Sequence, residues 1–130
     1  MKKNIIKLNV LVISILCNVS LFAQSNETIL RDLNEILKSS LYKTEIKLSD
    51  DGLVNRMDNN GNTFEFNLKD IKEIKTDYDG FYNMLIVMDK RKKSKGQVNG
   101  REVESGINVV SFEYNDDCKK AIDLFKKLIE

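Results

Sequence analysis

A run of basic side chains near residue 90 is the most concentrated charge feature of the chain. These cations are the candidate binding residues, and we place them on a hairpin loop: Lys90, Arg91, Lys92, Lys93 and Lys95. The run predicts contact with an anionic lipid surface, a polyanionic glycan or an acidic partner, because each cation near an anionic surface contributes about 1 kcal/mol. No aromatic residue interrupts the run, so we do not expect bases to stack on it. The alternative is a solvated turn whose like charges discourage pairing between strand edges.

The residue types that most catalytic and metal sites need are missing or wrongly spaced. The chain has no histidine, which removes the commonest general base, the usual zinc ligand and every Ser/His or Cys/His pair. The acidic segments 58–62 and 77–80 have glycine at their fourth position, whereas a calcium loop has it at the sixth. Turn formation explains both segments. We therefore predict no metal, no cofactor and no enzymatic activity; a hydrolytic enzyme would need two carboxylates that converge in a cleft.

Three aromatic residues, Tyr78, Phe81 and Tyr82, flank a glycine turn. One interpretation is a binding lip that offers a flat surface to a peptide or a sugar. The other is that these rings pack over one end of the protein core.

The first 23 residues have the three parts of a secretory signal peptide. Lys2, Lys3 and Lys7 form the basic part, residues 8–22 are uncharged and mostly apolar, and Ala23 precedes a cut before Gln24. The alternative is a membrane anchor, but the apolar run is shorter than the roughly 20 residues of a spanning helix. We expect an exported protein, periplasmic or extracellular, with no transmembrane segment after cleavage. Cleavage removes three lysines and no acid, so the net charge changes from +1 to −2, and nucleic acid is not an expected partner.

Apolar spacing divides the remaining chain into helix, strands and helix. Ile29, Leu33 and Leu37 recur at helical spacing within a helix predicted over 26–41. Seven strands are predicted after it, at 43–48, 53–58, 64–68, 71–78, 82–88, 98–104 and 107–114. The strand at 82–88 is nearly all apolar, which indicates a central strand buried on both faces. The sixth strand is the weakest, because its Asn99-Gly100 is equally typical of a hairpin tip.

A second amphipathic helix is predicted over 116–129, with Asn115 or Asp116 as its cap. Its apolar face includes Cys118, the cysteine left after signal cleavage. We expect a buried thiol that behaves as a small apolar residue, the alternative being a reactive or linking thiol.

Seven short strands followed by one amphipathic helix resemble the pleckstrin-homology-like superfold, which includes the GRAM domains. The phrase Phe-Glu-Phe-Asn-Leu-Lys-Asp-Ile-Lys-Glu-Ile at 64–74 is similar to the passage from the third to the fourth strand in these domains. The resemblance implies a bent barrel plugged by the final helix, covering 43–129, and binding of phosphoinositide headgroups or peptides. Those lipids are held by basic residues around the first hairpin, where this chain has Lys47 and Arg56 but an acidic turn between them, so we transfer no ligand. A calycin-like small barrel is the competing architecture.

The sequence therefore predicts an α+β fold: a small bent β-barrel or sandwich of about seven antiparallel strands, capped by a C-terminal amphipathic helix and preceded by an extra N-terminal helix. The expected organisation is a signal peptide (1–23), an N-terminal helix (24–42) and a barrel domain with the final helix (43–130). We expect an exported, non-catalytic binding or scaffolding module that recognises a protein partner. The alternative is a small-molecule or lipid carrier with its ligand in an open barrel, which would need a cavity of roughly a few hundred Å³.

Overall fold

One helix precedes and one follows eight antiparallel strands in residues 26–130, the part of the chain that the computed structural model describes. The elements are α1 (26–37), β1 (Glu45–Leu48), β2 (Leu53–Met57), β3 (Thr63–Asn67), a 3-10 helix (Leu68–Asp70), β4 (Ile71–Tyr78), β5 (Tyr82–Met88), β6 (Ser94–Val98), β7 (Arg101–Ser105), β8 (Ile107–Phe112) and α2 (Asn115–Ile129). The predicted α+β class with a C-terminal helix is confirmed. The predicted signal peptide lies outside the described residues.

The strands form two open sheets, and neither closes into a barrel. The five-stranded sheet has the order β1-β2-β3-β6-β7, and the three-stranded sheet has the order β4-β5-β8. The chain therefore passes between the sheets after β3, after β5 and after β7. Buried residues of both sheets and both helices form one core, and α2 packs against β4, β5 and β8. The sequence predicted a barrel or a sandwich, and the closed barrel is not formed.

The weak sixth strand of the sequence prediction is a hairpin, which raises the number of strands to eight. β6 pairs with β7, and Asn99-Gly100 lies at the tip between them. Both tip residues have left-handed backbone, with φ of +52° for Asn99 and +77° for Gly100. Tight two-residue turns of this kind match the twist of the paired strands, and Asn-Gly is their preferred sequence.

β5 lies in the middle of the three-stranded sheet, as its apolar sequence predicts. Its inner side chains Met84, Ile86 and Met88 are buried in the core, where α2 packs. On the opposite face Leu85 and Val87 are only half-buried. The expected burial on both faces is therefore wrong, because β5 has a helix on one side of its sheet and not on the other.

α1 ends four residues before the predicted end at residue 41. The hydroxyls of Ser39 and Ser40 donate hydrogen bonds to the carbonyls of Ile36 and Leu37, each at 2.6 Å. Such local bonds compete with the helical pattern. The chain then pairs with the free edge of β8, where the Leu41 N–H donates to Ser111 O at 2.9 Å. Pairing with a distant strand edge decides where this helix ends.

Asn34 of α1 covers the outer edge of β1. Its side-chain amide accepts a hydrogen bond from the Ile46 N–H at 2.9 Å and donates one to Ile46 O at 3.0 Å. These are the two backbone groups that a neighbouring strand would otherwise satisfy. One helical side chain thereby fixes α1 on the five-stranded sheet.

Gly96 provides a test of the β3–β6 pairing. A Cβ at this position would lie 2.1 Å from Thr63 O and 2.7 Å from a ring carbon of Phe64, its partner in register. We expect Gly96→Ala to lower the free energy of unfolding by about 1–3 kcal/mol, because the two strands must separate to admit the methyl group.

The matched control for this test is Gly106→Ala. A Cβ on Gly106 meets no atom within 4 Å, so the change in stability should stay within about 0.5 kcal/mol. Urea denaturation followed by circular dichroism measures both variants. Equal stabilities for the two variants would contradict the close approach at Gly96.

Cys118 provides a test of the packing of α2. The side chain is 1% exposed, and burial raises the pKa of its thiol. The thiolate is the reactive form of cysteine, and a raised pKa lowers its fraction. The side chain is also shielded from solvent. We therefore expect labelling by a thiol reagent at about pH 8 to be roughly 100-fold slower in the folded protein than in urea. Labelling at similar rates in both states would show that α2 does not hold Cys118 in the core.

Candidate functional site

The basic run lies at a crossing between the two sheets and not on a hairpin. β5 pairs with β4 and β8, whereas β6 pairs with β3 and β7, so the residues between them connect one sheet to the other. We name residues Lys90–Lys93 the cationic loop; all four side chains are exposed. The loop is anchored at its start, because the Asp89 N–H donates to Asp70 O and the Lys92 N–H donates to Asp89 O. The expectation of a hairpin loop is wrong.

Lys95 is separated from the other four cations by the strand on which it lies. It belongs to β6, in register with Glu65 of β3 on one side and Glu104 of β7 on the other. Together these strands line an open cleft of about 640 Å³, which we name the polar groove. The cation run in the sequence could not show this separation, because the neighbours of Lys95 come from distant strands.

The polar groove contains acidic side chains from two strands, which raises the question of hydrolytic chemistry. Glu65, Glu102 and Glu104 line it, and each is exposed. A carboxyl that acts as a general acid is typically shielded from water by apolar neighbours, and these are not. Within residues 26–130, no three Cys, Asp or Glu side chains are arranged to hold a metal ion. The groove is a polar surface of the five-stranded sheet.

A group of exposed aromatic side chains lies at one end of the three-stranded sheet. We name it the aromatic rim; its members are each between 45% and 65% exposed and are Tyr78, Phe81 and Tyr114. Strand register places their segments side by side, since Tyr78 pairs with Tyr82, which follows Phe81, and Tyr82 pairs with Phe112, two residues before Tyr114. Neighbouring strands are spaced about 4.8 Å apart, so the three strands that carry the rim span roughly 10 Å.

A second cleft adjoins the aromatic rim between β4 and the start of α2. This tyrosine cleft opens to solvent and has a volume of about 430 Å³. The rings of Tyr78 and Tyr82 lie 4.9 Å apart with an angle of 45° between their planes. Its other lining residues are Thr76, Asp77, Asn115, Cys118 and Lys119.

The three residues of the aromatic turn differ in their burial. Tyr82 packs against the core, whereas Tyr78 and Phe81 are exposed. The start of α2 differs from the prediction, because the helix begins at Asn115 and the residue before it, Tyr114, makes no side-chain capping bond. The sequence showed the part of the rim near residue 80 but not Tyr114, which joins it because Phe112 pairs with Tyr82.

Arg56, a basic residue of the first hairpin, points into the core. It is 8% exposed, its Nη2 donates to Val109 O at 2.8 Å, and its guanidinium lies 5.6 Å from the centre of the Phe64 ring. Burial lowers the pKa of Arg56, and the Asp58 carboxylate opposes this effect. Arginine nevertheless stays charged in proteins. This cation joins the two sheets and is not available to a phosphorylated headgroup.

An apolar surface on the outer face of the three-stranded sheet was not anticipated from the sequence. Val87 pairs with Ile107 and Leu85 with Val109, and we name these four residues the apolar strip. Ile107 is 46% exposed and Val109 is 42% exposed. Because 82–88 is apolar at almost every position, its pattern alone does not reveal that one face is open.

No family model, curated protein or solved structure matches the chain. The resemblance to the pleckstrin-homology-like superfold therefore stays a prediction. Across the described residues, neither helix has the length and apolar character required to cross a membrane.

Proposed function

We propose that this protein is an exported, non-catalytic binding module that recognises a protein partner through the aromatic rim. The observation that carries the proposal is the exposure of three large aromatic side chains at one end of the three-stranded sheet. Tyrosine is enriched among the residues that dominate binding at protein interfaces. It supplies a large contact area and a polar hydroxyl while losing little conformational freedom. Export rests on the pattern of residues 1–23.

The dimensions of the rim suit a short extended segment of a partner. A span of roughly 10 Å corresponds to about three residues of extended chain. The tyrosine cleft beside it has room for an anchoring side chain, at about 430 Å³. Asp77, Asn115 and Lys119 line that cleft and provide an acceptor, an amide and a cation for polar contacts with the segment.

The first experiment separates a protein partner from a small ligand. Native mass spectrometry of the mature protein, purified from its own host, measures what remains bound after desalting. We expect a bare chain under these conditions. A retained small molecule of constant mass would instead favour the carrier function and replace the proposed one.

The second experiment tests the rim itself. A partner is captured from the host envelope with the immobilised protein, purified, and titrated by calorimetry against wild type and Tyr78→Ser/Phe81→Ser. Because truncation of a dominant interface residue removes about 2 kcal/mol or more, we expect the dissociation constant to rise by at least roughly 30-fold.

The matched control is Ile107→Ser/Val109→Ser, which also removes two exposed apolar side chains but lies on the apolar strip. It should change the dissociation constant by less than about threefold. Circular dichroism establishes that each variant is folded. Equal affinity for the rim variant and wild type would exclude the rim as the binding surface.

A further inference from the structure

The apolar strip and the cationic loop are consecutive features of one surface. Val87, opposite Ile107, is followed by Met88, whose N–H donates to Gly106 O, and the loop begins two residues later. Three residues of extended chain separate Val87 from Lys90, a distance of about 10 Å. Exposed apolar side chains and a group of cations therefore lie side by side at the end of β5.

We infer that this surface binds an anionic lipid membrane, with the cationic loop on the headgroups and the apolar strip at the boundary with the acyl chains. The inference is independent of the proposed recognition of a protein partner, which uses the aromatic rim at the other end of β5. Peripheral membrane proteins combine the same two elements, apolar side chains that enter the interface by about 5–10 Å and cations that contact anionic lipids.

The charges of the loop are available to an outside partner. The ion pairs of the described residues join Arg31 to Asp32, Lys38 to Glu35, and Lys75 to Glu73, and none includes a cation of the loop. Each cation close to an anionic leaflet raises the affinity by roughly fivefold. Four neighbouring cations together are sufficient to select anionic over neutral lipid.

The β4 side of the apolar strip carries no net charge that would oppose the cationic loop. On β4, Glu73 is in register with Val87 and Lys75 with Leu85. The Glu73 carboxylate and the Lys75 ammonium pair with each other at 3.4 Å, which neutralises that side of the strip. At the start of the loop, the acidic residues Asp70 and Asp89 are outnumbered by the four cations, so the net charge of this surface is positive.

The test is cosedimentation of the mature protein with vesicles of phosphatidylglycerol and phosphatidylcholine, compared with vesicles of phosphatidylcholine alone. We expect binding to the anionic vesicles that declines as salt is raised, because salt screens exposed charges. We expect no measurable binding to the neutral vesicles. Equal binding to both, or no binding to either, would overturn the inference.

Two variants with the same change in charge locate the contact. Lys92→Glu/Lys93→Glu should weaken binding to anionic vesicles by at least roughly 30-fold, since two favourable charges are lost. Lys126→Glu/Lys127→Glu makes the same change in charge at exposed positions of α2, which packs on the other face of the three-stranded sheet. The affinity of this control variant for anionic vesicles should stay within about threefold of wild type. Equal loss in both variants would indicate a general charge effect and exclude the loop as the site.

The contribution of the apolar strip is tested with Ile107→Ser/Val109→Ser. We expect this variant to bind anionic vesicles roughly tenfold less tightly, because it offers less apolar area to the interface. Sedimentation velocity of wild type and variant distinguishes a second copy of this chain as the occupant. A wild-type dimer that the variant converts to monomer would assign the strip to self-association and overturn the inference.

Discussion

The hydrogen bond from Arg56 to Val109 O joins the two sheets, and a row of residues in the five-stranded sheet supports it. Arg56 reaches from the inner face of β2 to the edge of β8, and the guanidinium lies over the ring of Phe64. The same ring lies so close to Gly96 that no side chain fits there. A buried guanidinium loses hydration worth several kcal/mol, so its partners must be held in place. Gly96 allows Phe64 to occupy that position, and Phe64 covers the cation.

The local sequence pattern predicted the bounds of helices and strands well where residues close in sequence determine those bounds. The bounds of β4 and β5 agree with the prediction, since turn residues mark their ends and apolar residues fill β5. The end of α1 did not agree, because it is decided by pairing with β8. The assignment of each strand to one of the two sheets was also not predictable, as it depends on which strands pair across the connections. Arg56 occupied a strand position that the sequence cannot distinguish from an exposed one, because arginine is rarely buried.

The candidate surfaces follow the same distinction. The cationic loop is contiguous in sequence and was found there. Lys95 is separated from it because its strand register places it between Glu65 and Glu104. The aromatic rim combines the β4–β5 turn, which the sequence showed, with Tyr114 after β8, which it did not. β5 runs from the rim to the cationic loop, and its seven residues extend about 20 Å. A partner bound at the rim would therefore be held about 20 Å from a membrane bound at the loop.

The amide of Asn34 has a consequence for how the chain behaves among its own copies. An open strand edge is a template on which another chain can add a strand and start a polymer. Asn34 occupies both backbone groups of Ile46, so the β1 edge is blocked to a further strand at this residue. At the opposite edge of the sheet, β7 carries Arg101, Glu102 and Glu104. Strand addition is thus opposed at one edge of this sheet by occupied backbone groups and at the other by charged side chains.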